Sequence, residues 1–405
     1  MKILAQLLCG ALLCLCDGMV WAELGSAMPN SGGPYYYLKE AFGRNGLGQL
    51  MGFLFIWQTL LAGPLTIASG AVGFSEYMNF IYPKLAHGQL VAIAAGICLV
   101  NVLLLYRDIR SIDHISIAMT VVVIATCCWV IASGVQHFRV ANAFDFPTGA
   151  FHMSTAFWAG LGATSLIAVY DYGGYSNACL LGGEIVEPRK NIPRAVIYSI
   201  FLVAALYLLM NLSIIGTLNW RDVEHSDAIA ADFMQLVYGH WAGLLVSLLV
   251  LVVSFGSVFA NMLGSSRIPY AAAADGRFFA AFARLHKTGN FPTVSLLFMG
   301  VASAVACLFT LSELIQVLVV VQAIFQFAAQ CLAVELMRRR GPKQSDVYHM
   351  PLYPIPAIIA LLGWIYIAVS SGARFVAIGL GLIAAGGGIY LLKAKLEREW
   401  PFAVL

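Results

Sequence analysis

The chain has 405 residues, of which 60% are hydrophobic and only 11% are charged, and its mean hydropathy is +0.83. Soluble domains carry about 25% charged residues, so this composition excludes an ordinary soluble protein and indicates a membrane protein throughout. The net charge of +3 includes no basic block, so nucleic acid is not an expected partner. The nine cysteines contain no C-x-x-C pair and are typical of small core residues rather than disulfides or metal ligands.

Eleven apolar runs are long enough to cross a membrane, for which about 17–25 residues are needed. They lie near 3–23, 48–80, 87–105, 112–134, 152–186, 192–217, 235–265, 292–310, 312–338, 353–371 and 374–393. The first run opens like a signal peptide, but it continues through Trp21 without a convincing cleavage site, so we expect a retained helix. The sequence therefore predicts an all-α membrane protein with a single integral-membrane domain over residues 1–405.

The basic residues divide unevenly between the two sets of loops. One set holds 18 of the 23 lysines and arginines, and the opposite set holds five. Because Lys and Arg are enriched in cytoplasmic loops, we expect the C-terminus in the cytoplasm. With an odd number of spans, Met1 is expected on the outside of the cytoplasmic membrane.

The apolar run over 152–186 is interrupted where a plain span would stay apolar. An acid, two glycines and three phenol rings fall within one turn and a half: Tyr170, Asp171, Tyr172, Gly173, Gly174 and Tyr175. Each glycine weakens a helix by about 1 kcal/mol relative to Ala, and unwound backbone within a bilayer is tolerated only where it lines a cavity. A glycine pair alone is more typical of close helix packing. Together with the acid and the phenols, it predicts a binding site for a small zwitterion.

Motifs spread along the chain, in the same order, resemble those of the amino acid–polyamine–organocation (APC) transporters. Residues 22–35, AELGSAMPNSGGPY, resemble the family's A-E-L-G-x-x-x-P-x-S-G-G-x-Y loop, and residues 74–77, FSEY, match its L-type amino acid transporter branch. Residues 172–175, YGGY, stand where relatives have Y-G-G-W, and residues 184–195 follow the family's E-x-x-x-P-x-x-N-x-P-x-A order. Residues 266–277 match the S-R…A-x-D-G-x loop. The resemblance covers essentially the whole chain.

The resemblance implies a LeuT-type helical bundle that carries an amino acid by alternating access, with no organic cofactor and no enzymatic chemistry. It implies that the broken helix is the family's sixth and that its carbonyls receive the substrate amine. In the family register the chain corresponds to helices 2–12 of a twelve-helix pattern. The family's first helix, which supplies N–H groups to the substrate carboxylate, is then absent, so the chain is expected to be N-terminally truncated.

The ion that drives transport has several candidate sites. Many sodium-independent relatives carry a lysine in the fifth helix, but residues 111–134 contain none. Sodium-coupled relatives use hydroxyls on the eighth helix, where Ser254 and Ser257 lie. Asp171 could exchange a proton or attract a cationic substrate, or it could only shape the break, either in a water-filled vestibule or by accepting from Tyr170 or Tyr172. Proton and sodium coupling both stay open.

Glu184, Arg189 and Arg194 follow the broken helix and are candidates for a cytoplasmic gate, although ordinary surface pairing also explains them. The expected partners are a small amino acid or amine and the lipid bilayer. A polyamine or basic amino acid transporter is an alternative, as is a non-transporting relative that acts as a scaffold. A membrane enzyme is disfavoured, because no histidine has metal-ligand spacing with a second His or a carboxylate on one helix face.

Overall fold

A computed structural model of the chain describes residues 2–30, 32–44, 46–106, 112–143, 152–180, 182–218, 221, 226, 228–286, 291–340 and 346–402. These residues are almost entirely helical. The first half contains α1 (Lys2–Ala27), α2 (Pro34–Ala41), α3 (Leu47–Ile81), α4 (His87–Leu105), α5 (Ile112–Gln136), α6 (Val140–Ala143), α7 (Thr155–Tyr172), α8 (Asn177–Leu180) and α9 (Pro188–Thr217). The second half contains α10 (Ile229–Tyr238), α11 (His240–Ala274), α12 (Thr293–Ala306), α13 (Leu311–Val321), α14 (Ala328–Arg340), α15 (Ile355–Ser370) and α16 (Ala373–Glu397).

Each predicted span coincides with helix in the described part of the chain. There, eight helices, counting α13 to α14 as one, are long and apolar enough to cross a membrane. Helices α7, α12 and α15 are shorter, with 18, 14 and 16 residues. Large apolar side chains are exposed on several helices, among them Leu103 of α4, Val369 of α15 and Leu392 of α16. Such exposure is expected where lipid replaces water. The prediction of an all-helical membrane bundle is confirmed.

Two predicted boundaries were wrong. The A-E-L-G residues are not in a loop, because α1 continues through Ala27, where its burial against neighbouring helices continues. The run over 235–265 is two helices, because Gly239 adopts φ +93° between α10 and α11. The run over 152–186 is interrupted at the stretch singled out in the sequence, where α7 ends at Tyr172 and α8 begins at Asn177.

Two helices organise the core and thereby position the break. Helix α1 packs against α7, α9 and α15, and α3 packs against α4, α11, α12 and α13. Their buried side chains belong to one continuous cluster that includes Trp21 and Tyr172. A second cluster joins α5, α9, α10 and α11 around Phe233 and Met234. The end of α7 is therefore held against the middle of the bundle by α1.

Residues Gln322–Phe327 form a π-helical turn between α13 and α14. Gln58 Nε2 of α3 donates to Gln326 Oε1 at 3.0 Å, and both side chains are buried. The ring of Phe327 stacks on Trp364 of α15, with centroids 4.0 Å apart and planes 7° from parallel. π-helical turns are rare overall but are common at functional sites. This turn contacts Trp364, which also belongs to the site described next.

Candidate functional site

The break occurs where α7 meets two glycines. Gly173 has φ −56° and ψ 158°, which leaves helical geometry, and Gly174 has φ +100°. A side chain rarely adopts such a φ, so glycine is required at position 174 by the backbone itself. Both glycines are exposed, although they lie between two helical segments of a membrane bundle. The backbone of the break is therefore accessible.

The break leaves backbone groups of both kinds outside the regular hydrogen bonding of a helix. Within the described residues, the carbonyls of Asp171, Tyr172 and Gly173 accept no backbone hydrogen bond, and the N–H groups of Gly174, Tyr175 and Ser176 donate none. The chain resumes normal bonding only where Asn177 N–H donates to Gly174 O at 3.0 Å. A helix end with free carbonyls carries partial negative charge, and free N–H groups carry partial positive charge. The break can therefore bind an ammonium and a carboxylate.

The three tyrosines of the break extend to three different places. The Tyr170 hydroxyl lies 2.6 Å from Ser69 Oγ of α3, and Tyr172 donates to Leu7 O of α1 at 3.1 Å. Tyr175 donates to Asp17 Oδ2 of α1 at 2.6 Å. These phenols do not surround one ligand. They anchor the break to α1 and α3, a role that the sequence pattern did not indicate.

The Asp171 carboxylate, at the last turn of α7, is half-buried. Within the described residues it has no hydrogen-bond or ion-pair partner, and both neighbouring tyrosines direct their hydroxyls elsewhere. The interpretation that an adjacent tyrosine donates to Asp171 was therefore wrong. The carboxylate remains available to water or to a ligand in the break.

Asp17 is a second acid in contact with the break, and it was not among the candidate residues predicted from the sequence. Its side chain is fully buried in α1 (0% exposed), with Oδ1 accepting from Trp364 Nε1 at 3.0 Å and Oδ2 accepting from Tyr175. The signal was an acid within the first apolar run, because ionisable residues within membrane helices are rare and usually functional. Trp364 could not be found in this way, since a tryptophan in an apolar run has no distinguishing pattern.

The S-G-G-x-Y motif and the following residues of α2 contact α8, the short helix after the break. Gly32 N–H donates to Leu180 O at 3.1 Å, and the Tyr37 hydroxyl donates to Cys179 O at 3.4 Å. Burial raises the pKa of Tyr37 well above its usual value, so the hydroxyl stays a neutral donor. Gly33 adopts φ +44°, and a Cβ there would lie 2.8 Å from Cys179 O. The glycines of the S-G-G-x-Y motif therefore allow this close approach.

The two candidate coupling serines lie on α11. Ser254 is half-buried and Ser257 is exposed on α11. Asn261 Nδ2 donates to Ser257 O at 2.9 Å and to Ser257 Oγ at 3.3 Å. No hydrogen bond among the described residues joins either serine to the break, and a sodium site at these hydroxyls stays a prediction.

The three candidate gate residues form no ion pair with one another among the described residues. Arg189 Nη1 lies 3.5 Å from Asp346 Oδ2, with both side chains exposed, and Arg189 O accepts from Ser26 Oγ at 2.9 Å. Glu184 and Arg194 are exposed, and within the described residues no ion pair joins either of them to Arg189. The gate therefore stays a prediction.

A buried ion pair closes the same end of the bundle. Arg338 of α14 donates from Nε and Nη2 to the two carboxylate oxygens of Glu23 at 2.5 and 2.6 Å, and Glu23 is 4% exposed. Met350 N–H donates to Glu23 Oε2 at 2.9 Å, and the guanidinium lies 3.8 Å from the Tyr353 ring centroid. This bidentate pair joins α1, α14 and the segment before α15. It was not predicted, because its two members lie 315 positions apart.

A helical membrane bundle with one span interrupted at an accessible backbone is the architecture of a solute transporter. The sequence matches the amino acid permease family over residues 2–389, and the chain belongs to that family. It is therefore a member of the APC superfamily with L-type relatives, as its motifs predicted. The family consists of transporters, in agreement with the expectation that the chain is not an enzyme.

Three relatives show the breadth of the similarity. The serine/threonine exchanger SteT of Bacillus subtilis is 24% identical over 377 residues, which cover 91% of this chain and 82% of the relative. The human large neutral amino acids transporter small subunit 2 is 26% identical over 393 residues, covering 94% and 71%. The mouse cationic amino acid transporter 4 is 25% identical over 368 residues, covering 86% and 56%. These proteins are named for different amino acids, so the family does not by itself define the substrate.

Proposed function

We propose that this protein carries an amino acid across the cytoplasmic membrane by alternating access around the break at residues 170–176. The observation that supports this proposal is the accessible, unpaired backbone of the break within the family's span. Unwound backbone is stable in a membrane protein where it lines a cavity for a solute. Transport by net uptake and transport by exchange both use this arrangement.

The break has complementary groups for both ends of a zwitterion. The free carbonyls of residues 171–173 stand at the C-terminal end of α7, where the helix dipole favours an ammonium. The free N–H groups of residues 174–176 suit a carboxylate, as anion sites formed by successive N–H groups do. Because the two sets are adjacent, an α-amino acid can engage both at once.

A basic amino acid or a polyamine is the second candidate substrate. The half-buried Asp171 carboxylate, which has no partner among the described residues, favours a substrate with an additional positive charge. The relative named as a cationic amino acid transporter agrees with this alternative, whereas the serine/threonine exchanger agrees with a neutral substrate. Competition by serine, leucine, lysine and putrescine would separate the two.

The experiment is counterflow of labelled serine, leucine and lysine into liposomes that hold the purified chain. We expect at least one of them to accumulate, and we expect Gly174→Trp to abolish accumulation because the ring fills the break and position 174 has a positive φ. Gly388→Trp is the matched control, since it places the same ring on an exposed face of α16 with nothing within 4 Å.

Two outcomes would count against transport at the break. A folded wild-type chain that neither binds nor exchanges any of the three amino acids would favour a scaffold role. Equal loss of counterflow in Gly174→Trp and Gly388→Trp would show that the ring acts by general disruption of the bundle rather than at the break.

A further inference from the structure

Asp17 lies near the middle of the membrane-spanning part of α1. It is ten residues from Ala27, which corresponds to about 15 Å along a helix at 1.5 Å per residue. The hydrocarbon core of a bilayer is about 30 Å thick, so the carboxyl is far from either surface. Its side chain is 0% exposed. Water therefore does not solvate this acid directly.

The groups around Asp17 are neutral or acidic on every side. The thiols of α1, α8 and α14 that interact with it electrostatically are Cys14, Cys16, Cys179 and Cys331. Asp17 also accepts hydrogen bonds from the phenol of Tyr175, in the segment after α7, and from the indole of Trp364 on α15. Helix α9 contributes the apolar side chains Val196 and Ile200 beside Gly18.

Among the residues that the structure describes, no positive charge compensates the acid. Within the described residues, Asp17 forms no ion pair with Lys, Arg or His. Neither a thiol nor a phenol can become a cation. A carboxylate in this position therefore relies on hydrogen bonds from neutral side chains, and binding a proton removes the charge that makes its burial costly.

The two hydrogen bonds differ in what they permit. The Trp364 indole can only donate, so Oδ1 is an acceptor in either protonation state. The Tyr175 hydroxyl can donate or accept, so a proton on Asp17 can reside on Oδ2 and point toward Tyr175. In that state the Tyr175 hydrogen is released from Asp17 and can turn toward the break. The charge of Asp17 is thus linked to the hydrogen-bonding capacity of the break.

We propose that Asp17 is the proton-binding site of this transporter, coupled to the break through the hydroxyl of Tyr175. This inference rests on the proposed function. One proton binds the carboxylate from one side of the membrane to form the carboxylic acid, and the same proton leaves to the other side after the break has rearranged. No other bond is made or broken. Asp171, whose half-buried carboxylate forms no hydrogen bond or ion pair among the described residues, then serves the substrate rather than the proton.

The test uses the full chain in liposomes, with whichever of labelled serine, leucine and lysine gives counterflow. We expect an acid-outside gradient to drive net accumulation, with a limit of about tenfold per pH unit for one proton per substrate. We expect Asp17→Asn to remove this gradient-driven accumulation. Counterflow without a gradient, measured in the same vesicles, reports separately whether each protein exchanges substrate.

A second pair of variants keeps the proposal testable if Asp17→Asn does not fold. Tyr175→Phe removes the donor to Asp17 Oδ2, and we expect it to shift the pH profile of net uptake. Tyr172→Phe removes a phenol hydroxyl from the same break, but that hydroxyl donates to Leu7 O, so the pH midpoint is expected to stay at its wild-type value.

The outcomes separate the two proposals. Absence of counterflow in the wild-type protein contradicts transport itself. Counterflow together with net uptake that ignores the proton gradient overturns the proton site alone. Gradient-driven uptake that survives in Asp17→Asn, or is lost in Asp171→Asn and retained in Asp17→Asn, also overturns it, as does an unshifted pH profile in Tyr175→Phe.

Discussion

At the scale of single residues, Gly174 of the break and the buried Asp17 are explained by different physical reasons. Gly174 is required by a backbone angle, φ +100°, that side chains rarely adopt. Asp17 is required by no local rule, and a fully buried acid lowers stability unless its partners compensate it. Residues that break a local rule in this way are concentrated at functional sites.

The conformation of Gly174 leads to a prediction about stability. Gly174→Ala is expected to destabilise the protein by about 1–3 kcal/mol, because alanine is strained in the left-handed region. Gly387→Ala, inside α16 with nothing within 4 Å, is expected to be neutral or stabilising by up to about 1 kcal/mol. Thermal unfolding in detergent measures both. Equal midpoints for the two variants would show that the break relaxes without cost.

At the scale of helices, the chain uses side-chain hydrogen bonds to hold interrupted segments in place. Three tyrosines fix the break to α1 and α3. The π-helical turn Gln322–Phe327 is likewise held by Gln58 and by the stack of Phe327 on Trp364. Trp364 connects the two interruptions. Its ring stacks on Phe327 of the π-helical turn, and its indole N–H donates to Asp17, which also accepts from Tyr175 of the break.

The buried pair of Glu23 and Arg338 leads to the second prediction. Arg338→Gln is expected to destabilise the protein by about 3 kcal/mol, at the lower end of the range for breaking a buried pair, because Arg338 is partly exposed. Arg339→Gln is the matched control on the next residue. Its pair with Glu335 is an exposed i, i+4 contact, for which about 0.5 kcal/mol is expected.

Denaturant unfolding of the two arginine variants provides the measurement. A loss for Arg338→Gln no larger than that for Arg339→Gln would contradict a structural role for the buried pair. Arg338→Lys is expected to recover only part of the stability, because lysine cannot make both hydrogen bonds to Glu23 at once.

At the scale of the whole molecule, the distribution of basic residues predicts the orientation in the membrane. A short tag after residue 402 is expected to be accessible only from the cytoplasm, because the predicted topology places 18 of the 23 basic residues on the side of the C-terminus. The same tag inserted between Lys84 and Leu85, in the short connection between α3 and α4, is expected to be accessible only from outside. Antibody binding to intact and permeabilised cells distinguishes the two. Accessibility of both tags from one side would contradict the assigned orientation.

The sequence by itself determined the class of fold and the position of the break. Long apolar runs must form helices in a bilayer, since every backbone group has to be paired within the segment. A glycine pair beside an acid interrupts such a helix for local reasons, so residues 173–174 could be identified without coordinates.

Only the tertiary structure decided which groups face each other across the bundle. Tyr175 and Asp17 are 158 positions apart, and Trp364 and Asp17 are 347 positions apart. Local periodicity carries no record of such contacts, because they depend on how α1, α7 and α15 pack. The three tyrosines looked like one cluster in the sequence and diverge in space for the same reason. The environment of a buried acid is a property of the assembled helices rather than of its neighbours in the chain.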